Sequence, residues 1–245
     1  MSLLLIPVAP LSKTKSRLRD CFTKEQLKDL TIAMFKDLTQ KLLKVKGYRE
    51  KIVYCNNTEI LEIAEENSLT GIKEVLTHPP KSFDAVITDV NHIAMQKFDA
   101  QQTTFSFLDT ILISPQNFEE ISVLIKKNQI VVCPAIHSGG ISVFGRNPPD
   151  IIKSHFSDPH IPSLVATITH AKEQGLERIE IYDSFRAGFD IDIKQDLVLT
   201  FQYLKIFNLT HTETYKFLKN NLKLTLQKDR KNNRKFEIVE ETKRK

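Results

Sequence analysis

The chain has 245 residues, of which 41% are hydrophobic and 27% charged, with a net charge of +5. That is enough apolar sequence to bury a core without disulfides or metals, and it excludes disorder over most of the length. The opening run Leu3-Leu4-Leu5-Ile6 is broken at once by Pro7, far short of the roughly 20 residues of a membrane helix or of the apolar region of a secretory signal, so a soluble cytoplasmic protein with no membrane partner is expected.

Residues 3–8 read as a short buried strand, and Thr23 with Gln26 has the spacing of a capping box before an amphipathic helix over 24–45. A second strand is expected at 51–55, a helix at 58–67 and a third strand at 72–76. A helical pattern returns over 82–98, and 103–108 reads as a strand ending at Asp109. Ser114-Pro115 starts a helix running to 127, because Ser caps free amides and Pro fits the first turn. Residues 129–133 read as a strand, and the Ser138-Gly139-Gly140 turn leads into another at 141–144. Helical stretches are expected near 150–156 and 162–174, and a strand at 177–182. The segment Gly188-Phe189-Asp190-Ile191-Asp192 then leads into a helix over 194–206, followed by one over 212–221. Residues 222–227 and 236–240 alternate about a polar stretch, the signal of a C-terminal β-hairpin spanning 222–240. No repeat, low-complexity tract or linker interrupts the pattern, so one domain covering 1–245 is expected.

Strands separated by helices imply an α/β fold with a mostly parallel sheet covered on both faces, and ligands then sit at the carboxyl ends of the strands. The loop after the first strand carries Lys13, Lys15, Arg17 and Arg19, which can hold phosphates by charge; a solvated basic turn is the alternative. It lacks GxxxxGK(S/T), so a P-loop is excluded. Asp109 ends a strand, and Asp190 with Asp192 sits at i, i+2, so three carboxylates can bind Mg²⁺ together with phosphate and water. Ordinary strand ends and helix caps are the alternative. Gly139 and Gly140 either let backbone approach a ligand closely or make a plain tight turn.

Cys21, Cys55 and Cys133 are widely spaced without a CxxC, which fits neither a disulfide framework nor zinc and suits a reducing cytoplasm. His137, His155 and His160 lack metal-ligand spacing and read as surface or core residues. Much of the positive charge lies in 219–245, but its only aromatic past the last helix is Phe236, and Glu237, Glu240 and Glu241 interrupt it. Nucleic-acid binding is therefore not expected; a solvated hairpin, or an edge strand pairing across a homodimer, fits better.

Ile6-Pro7-Val8 followed by Thr14-Lys15-Ser16-Arg17-Leu18 resembles the IPVK and AK(S/T)RL start of the archaeal 2-phospho-L-lactate guanylyltransferases, relatives of the phosphoenolpyruvate guanylyltransferases. Tyr182-Asp183-Ser184-Phe185-Arg186-Ala187-Gly188-Phe189-Asp190-Ile191-Asp192, then Gln195-Asp196-Leu197, is similar to that family's YDSFxAGxDID and EDL end, the more specific match. The resemblance spans nearly the whole chain. It implies a nucleotide-diphosphosugar transferase-like fold, a single domain with a mixed sheet. It also implies a guanylyltransferase of deazaflavin coenzyme (coenzyme F-420) biosynthesis, with GTP and a small phosphorylated carboxylate as substrates. By the same resemblance Asp109, Asp190 and Asp192 hold Mg²⁺, Lys15 and Arg17 face the triphosphate, and Ser163 contacts the acceptor's phosphate or carboxylate.

The chain departs from the family where Ala9 replaces the Lys after IPV, a role left to Lys13, and where DLPLL becomes Asp109-Thr110-Ile111-Leu112-Ile113. GGGTNAL becomes Ser138-Gly139-Gly140-Ile141-Ser142-Val143-Phe144, YGxSF becomes His160-Ile161-Pro162-Ser163-Leu164, and LNxAL becomes Ser82-Phe83-Asp84-Ala85-Val86. Losses fall on the acceptor and nucleoside segments, which leaves the acceptor and the base preference open, with phosphoenolpyruvate or a phosphoglycerate as alternatives to 2-phospho-L-lactate. A non-catalytic homologue serving as a binding or scaffold subunit is the competing reading; the presence of all three Asp residues argues against it.

Overall fold

A strand covered on both faces needs no alternation of apolar and polar residues, and the six residues of the first strand, SLLLIP, are all buried. In the computed structural model, which describes residues 1–11, 15–228 and 236–240, this is β1 (Ser2–Pro7). A 3-10 turn (Ser16–Leu18) follows, then α1 (Lys24–Leu42), β2 (Glu50–Cys55), α2 (Thr58–Glu66), β3 (Thr70–Lys73), α3 (Phe83–Phe98) and β4 (Gln102–Ser106). Next come α4 (Pro115–Lys127), β5 (Ile130–Pro134), β6 (Ile141–Arg146), α5 (Ser163–Glu173), β7 (Ile179–Ile181) and the single turn α6 (Phe185–Gly188). The chain continues with α7 (Lys194–Ile206), α8 (Glu213–Asn221), β8 (Leu224–Lys228) and β9 (Phe236–Glu240). It forms two compact units, Met1–Pro10 with Leu38–Asp190 and Leu11–Asp37 with Ile191–Lys245.

The larger unit holds a seven-stranded sheet in the order β3-β2-β1-β4-β6-β5-β7. β3, β2, β1 and β4 run parallel, β6 is antiparallel to both β4 and β5, and β7 is parallel to β5. The sheet is thus mixed and mostly parallel, as expected. Strand order reverses between β1 and β4, and the crevice at the carboxyl ends beside such a switch point is where ligands bind in open α/β sheets. On one face Leu3, Leu5, Tyr54, Phe105, Val132 and Phe144 pack with Ile87, Val90 and Ala94 of α3 and Ala171 of α5. α4 covers β4, β5 and β6 and buries Phe118, Ile121 and Ile125. Its start is the expected one: Ser114 and Asn117 cap each other's amides and Pro115 fills the first position.

Two expectations in this unit fail. Residues 150–156 form no helix, because the Ile152 carbonyl accepts from Arg146 Nη1 at 2.9 Å and the amides of Phe156 and Ser157 donate to the Asp84 carboxylate at 2.9 and 2.8 Å. Backbone groups engaged by distant side chains are unavailable to a helix. The third strand covers 70–73 rather than 72–76; its ladder with β2 ends at Cys55 and Lys73, and Val75 and Leu76 are exposed. β3 is an edge strand, so the apolar pair beyond it gains no cover. The turn α6 is an element that periodicity over so few residues does not reveal.

In the smaller unit the Thr23 and Gln26 capping box is present, with reciprocal bonds of 3.0 and 3.2 Å. α7 packs against α8 and β8, Phe201 stacks on Tyr215 with centroids 5.2 Å apart, and Phe22 meets Phe217 edge-on at 5.3 Å. The hairpin pairs Leu224 with Glu240 through Lys228 with Phe236; the residues joining its strands, 229–235, and the basic 241–245 lie outside the described residues. Among the described residues no helix is long and apolar enough to cross a membrane.

The buried Asp37 carboxylate on α1 accepts from the amides of Glu213 and Thr214, both at 2.8 Å, at the start of α8. It satisfies two orphan helix donors and complements the helix dipole. Asp37→Ala leaves both amides without a partner at a buried helix end, a cost of about 3 kcal/mol. The thermal midpoint should then fall by roughly 6–12 °C, with Asp37→Asn recovering part of the loss.

Candidate active site

The loop after β1 turns through Lys15, whose φ of 48° is unusual for a residue with a side chain. The Lys15 side chain is only 10% exposed; its ammonium donates to the Ile191 carbonyl and lies 3.9 Å from the Asp192 carboxylate. Arg17, 71% exposed, reaches within 3.5 Å of the same carboxylate. The two basic residues and the second Asp of the Asp-x-Asp pair therefore form one cluster in the smaller unit. Lys13, the expected substitute for the missing family lysine, lies outside the described residues.

Asp192 is held in place by Asp196, a residue of the Gln195-Asp196-Leu197 segment to which the resemblance assigns no role. The amides of Asp192 and Ile193 both donate to Asp196 Oδ2 at 2.9 Å, and Asp196 is 1% exposed. A carboxylate three residues into a helix, bonding back to the amides that precede it, is a capping arrangement. The signal that could have revealed it is Asp196 standing in the first turn of the expected helix.

In the larger unit Asp109 lies half-buried in the turn that follows β4, where Thr110 donates to the Phe107 carbonyl through both its amide (3.3 Å) and its hydroxyl (2.7 Å). Asp190 ends the Tyr182–Asp190 motif, and most of that motif is scaffold. Tyr182 donates to Glu120 and accepts from Asn117 Nδ2 at 2.9 Å, which ties the motif to α4. Burial, then the bond to Glu120, pushes the phenol's pKa up to about 12, so it stays a neutral donor. Ser184 caps α6 through the Ala187 amide at 3.3 Å, and Arg186 Nε donates to the Leu112 carbonyl at 2.8 Å. Phe189 is fully buried with His137 edge-on at 5.2 Å. Burial raises the Cys133 thiol's pKa, and the charges of Asp183 and Asp190 raise it further.

The glycine turn is bonded into this scaffold. The Ala135 amide donates to the Gly140 carbonyl at 3.0 Å, the Ile136 amide to Gly188 at 2.9 Å, and the Leu164 amide to Gly139 at 3.0 Å. A Cβ on Gly139 would lie 2.5 Å from Pro162 Cβ, so glycine is needed there for the turn to meet the start of α5. Ser163, half-buried, is the first residue of that helix. Gly139, Gly140 and Ser163 are therefore neighbours.

Carboxylate oxygens are the hard donors that Mg²⁺ prefers, and the ion pairs of Asp192 at 3.5 and 3.9 Å are longer than a good hydrogen bond. In donor chemistry the acidic residues fit the ion. Among the described residues, no group of three or more His, Cys, Asp or Glu is arranged to hold a metal.

A family model described as guanylyl transferase CofC like matches residues 2–241. The 2-phospho-L-lactate guanylyltransferase of Methanocaldococcus jannaschii is 26% identical over 211 residues, covering 86% of each chain. Its counterpart from Methanobrevibacter ruminantium is 28% identical over 202 residues, 79% of this chain and 82% of that one. A solved structure from Desulfovibrio desulfuricans G20, assigned as a nucleotide-diphospho-sugar transferase, superimposes with a TM-score of 0.69 at 15% identity, over 90% of this chain and 94% of the other. The shared architecture is the nucleotide-diphosphosugar transferase fold.

Proposed function

Because the chain belongs to the guanylyl transferase CofC like family, we propose that it transfers GMP from GTP to a small phosphorylated hydroxy acid with release of pyrophosphate. The acceptor is 2-phospho-L-lactate, phosphoenolpyruvate or a phosphoglycerate, and the product enters deazaflavin coenzyme biosynthesis. The observation that carries this reading is the meeting of Lys15 and Arg17 with Asp192 at the end of the first strand's loop. Cations beside a carboxylate in that position suit a polyphosphate.

In the proposed reaction an oxygen of the acceptor phosphate attacks the α-phosphorus of GTP. The bond from that phosphorus to the bridging oxygen breaks, and pyrophosphate leaves with the electron pair. A phosphate monoester is largely dianionic near neutrality, since its second pKa is about 6, so the attacking oxygen needs no dedicated base. The protein's work is then positioning and charge neutralisation. Lys15 and Arg17 offset triphosphate charge, the Gly139-Gly140 turn and Ser163 seat the acceptor, and Asp109, Asp190 and Asp192 are the proposed Mg²⁺ ligands. The ion, when bound, neutralises charge on the phosphate oxygens.

The test is pyrophosphate release with Mg²⁺ and each of the four ribonucleoside triphosphates against 2-phospho-L-lactate, phosphoenolpyruvate and 2- and 3-phosphoglycerate. Acceptor-dependent release with GTP that falls at least 100-fold in Asp190→Asn is the expected result. Release indifferent to every acceptor, or unchanged in Asp190→Asn, would sink the proposal.

A further inference from the structure

β3 ends at the carboxyl edge of the sheet, on the β1 side of the switch point, and Glu74 is the next residue. Its amide donates to the Cys55 carbonyl at 2.8 Å and its own carbonyl accepts from Asn56 Nδ2 at 3.1 Å. The neighbouring β2 is tied to the end of β1, where the Val8 amide donates to the Tyr54 carbonyl at 2.9 Å. Glu74 is thus pinned two strands from β1, about 10 Å away at ordinary strand spacing, a distance that a nucleoside lying across the strand ends can cover.

Glu74 is 6% exposed, yet no described residue donates a hydrogen bond to its carboxylate. The nearest compensating charge, Lys81, is already paired and hydrogen-bonded with Asp89. Burial raises the carboxyl's pKa, Lys81 opposes this, and Asp89 adds to it. The Glu74 oxygens are not among the fully enclosed polar atoms that lack a partner, so they keep contact with solvent, and a ligand that brings two donors can take the place of that water.

We infer that Glu74 reads the base of the nucleotide, its two carboxylate oxygens accepting from guanine N1–H and the 2-amino group. This rests on the guanylyltransferase reading above and assigns its base specificity to one residue. Guanine presents two adjacent donors on that edge, a match for the carboxylate fork. Adenine presents an acceptor at N1 and is repelled, and inosine keeps N1–H but lacks the amine.

The test is equilibrium binding of GTP, ITP, ATP, XTP and N1-methyl-GTP to the full chain, and of the same nucleotides to Glu74→Gln. The unmodified protein should bind GTP about tenfold or more tighter than ITP, the value of one hydrogen bond to a charged group, and should reject ATP and N1-methyl-GTP. In Glu74→Gln the amide can donate to the 2-carbonyl of xanthine and still accept from N1–H, so the preference should turn from GTP to XTP. A residue that only supports the fold would not produce that reversal. If Glu74→Gln does not fold, the unmodified protein still decides: N1-methyl-GTP bound as tightly as GTP overturns the assignment. Wild-type GTP binding with a preference unmoved in Glu74→Gln overturns the assignment alone. Binding of no triphosphate by the unmodified protein overturns the guanylyltransferase reading and this assignment with it.

Discussion

Gly188→Ala is expected to lower the thermal midpoint by roughly 2–12 °C and to abolish most acceptor-dependent pyrophosphate release. A Cβ there would lie 2.5 Å from the Pro134 carbonyl oxygen, 3.3 Å from Ile136 Cγ1 and 3.7 Å from Cys133 Sγ. The closest of these is backbone, so it cannot rotate away. Forcing a methyl into filled space costs about 1–3 kcal/mol, and each kcal/mol moves the midpoint by roughly 2–4 °C in a chain of this size. The displaced backbone also carries the bond from the Ile136 amide to the Gly188 carbonyl and leads to Asp190 two residues on. Gly140→Ala is the contrast: the nearest atoms to its Cβ are Ser138 Oγ at 3.0 Å and Ala135 Cβ at 3.6 Å, and a hydroxyl can rotate. Thermal unfolding of the two variants side by side checks the argument, and equal midpoints would refute it.

Lys15→Met is expected to reduce turnover by about 10²–10³, the usual consequence of deleting one preorganised electrostatic contact to reacting phosphates. Methionine keeps most of the stem of this side chain, so the loss isolates the ammonium. Stability should also fall modestly, because the Ile191 carbonyl loses its donor. Arg17→Ala separates the two roles. Arg17 is 71% exposed and its ion pair with Asp192 spans 3.5 Å, a pair that adds well under 1 kcal/mol to stability. The midpoint of Arg17→Ala should therefore be unchanged while the KM for GTP rises. Steady-state kinetics and thermal unfolding on both variants check this; full activity in Lys15→Met would remove the loop from the reaction.

Much of the architecture is written in local patterns. Leu3-Leu4-Leu5-Ile6 reads as a strand buried on both faces, and Ser114-Pro115 and the Thr23 and Gln26 pair mark helix starts whose partners lie three residues away. The hairpin is legible because its two stretches alternate in register. The candidate residues Lys15, Arg17, Asp109, Asp190 and Asp192 stand out because charge at strand ends and loops is visible in any α/β chain, and the motif resemblance adds their roles. What each scaffold residue does is less visible. Tyr182 and Ser184 belong to the most specific motif, yet their work is to bind α4 and cap α6.

By itself the sequence determined the alternation of strands and helices, their caps, the hairpin and the charged residues at strand ends and loops, since each depends on residues within one or two turns of chain. Only the tertiary structure decided that 150–156 is irregular, that Gly188 has no room for a methyl and that Glu74, almost wholly covered, accepts no hydrogen bond from a described residue. Those outcomes are set chiefly by Asp84, Pro134 and the sheet edge, which meet their targets across tens of residues. A buried backbone group or carboxylate takes whichever partner the packing brings to it, and no local pattern encodes that choice.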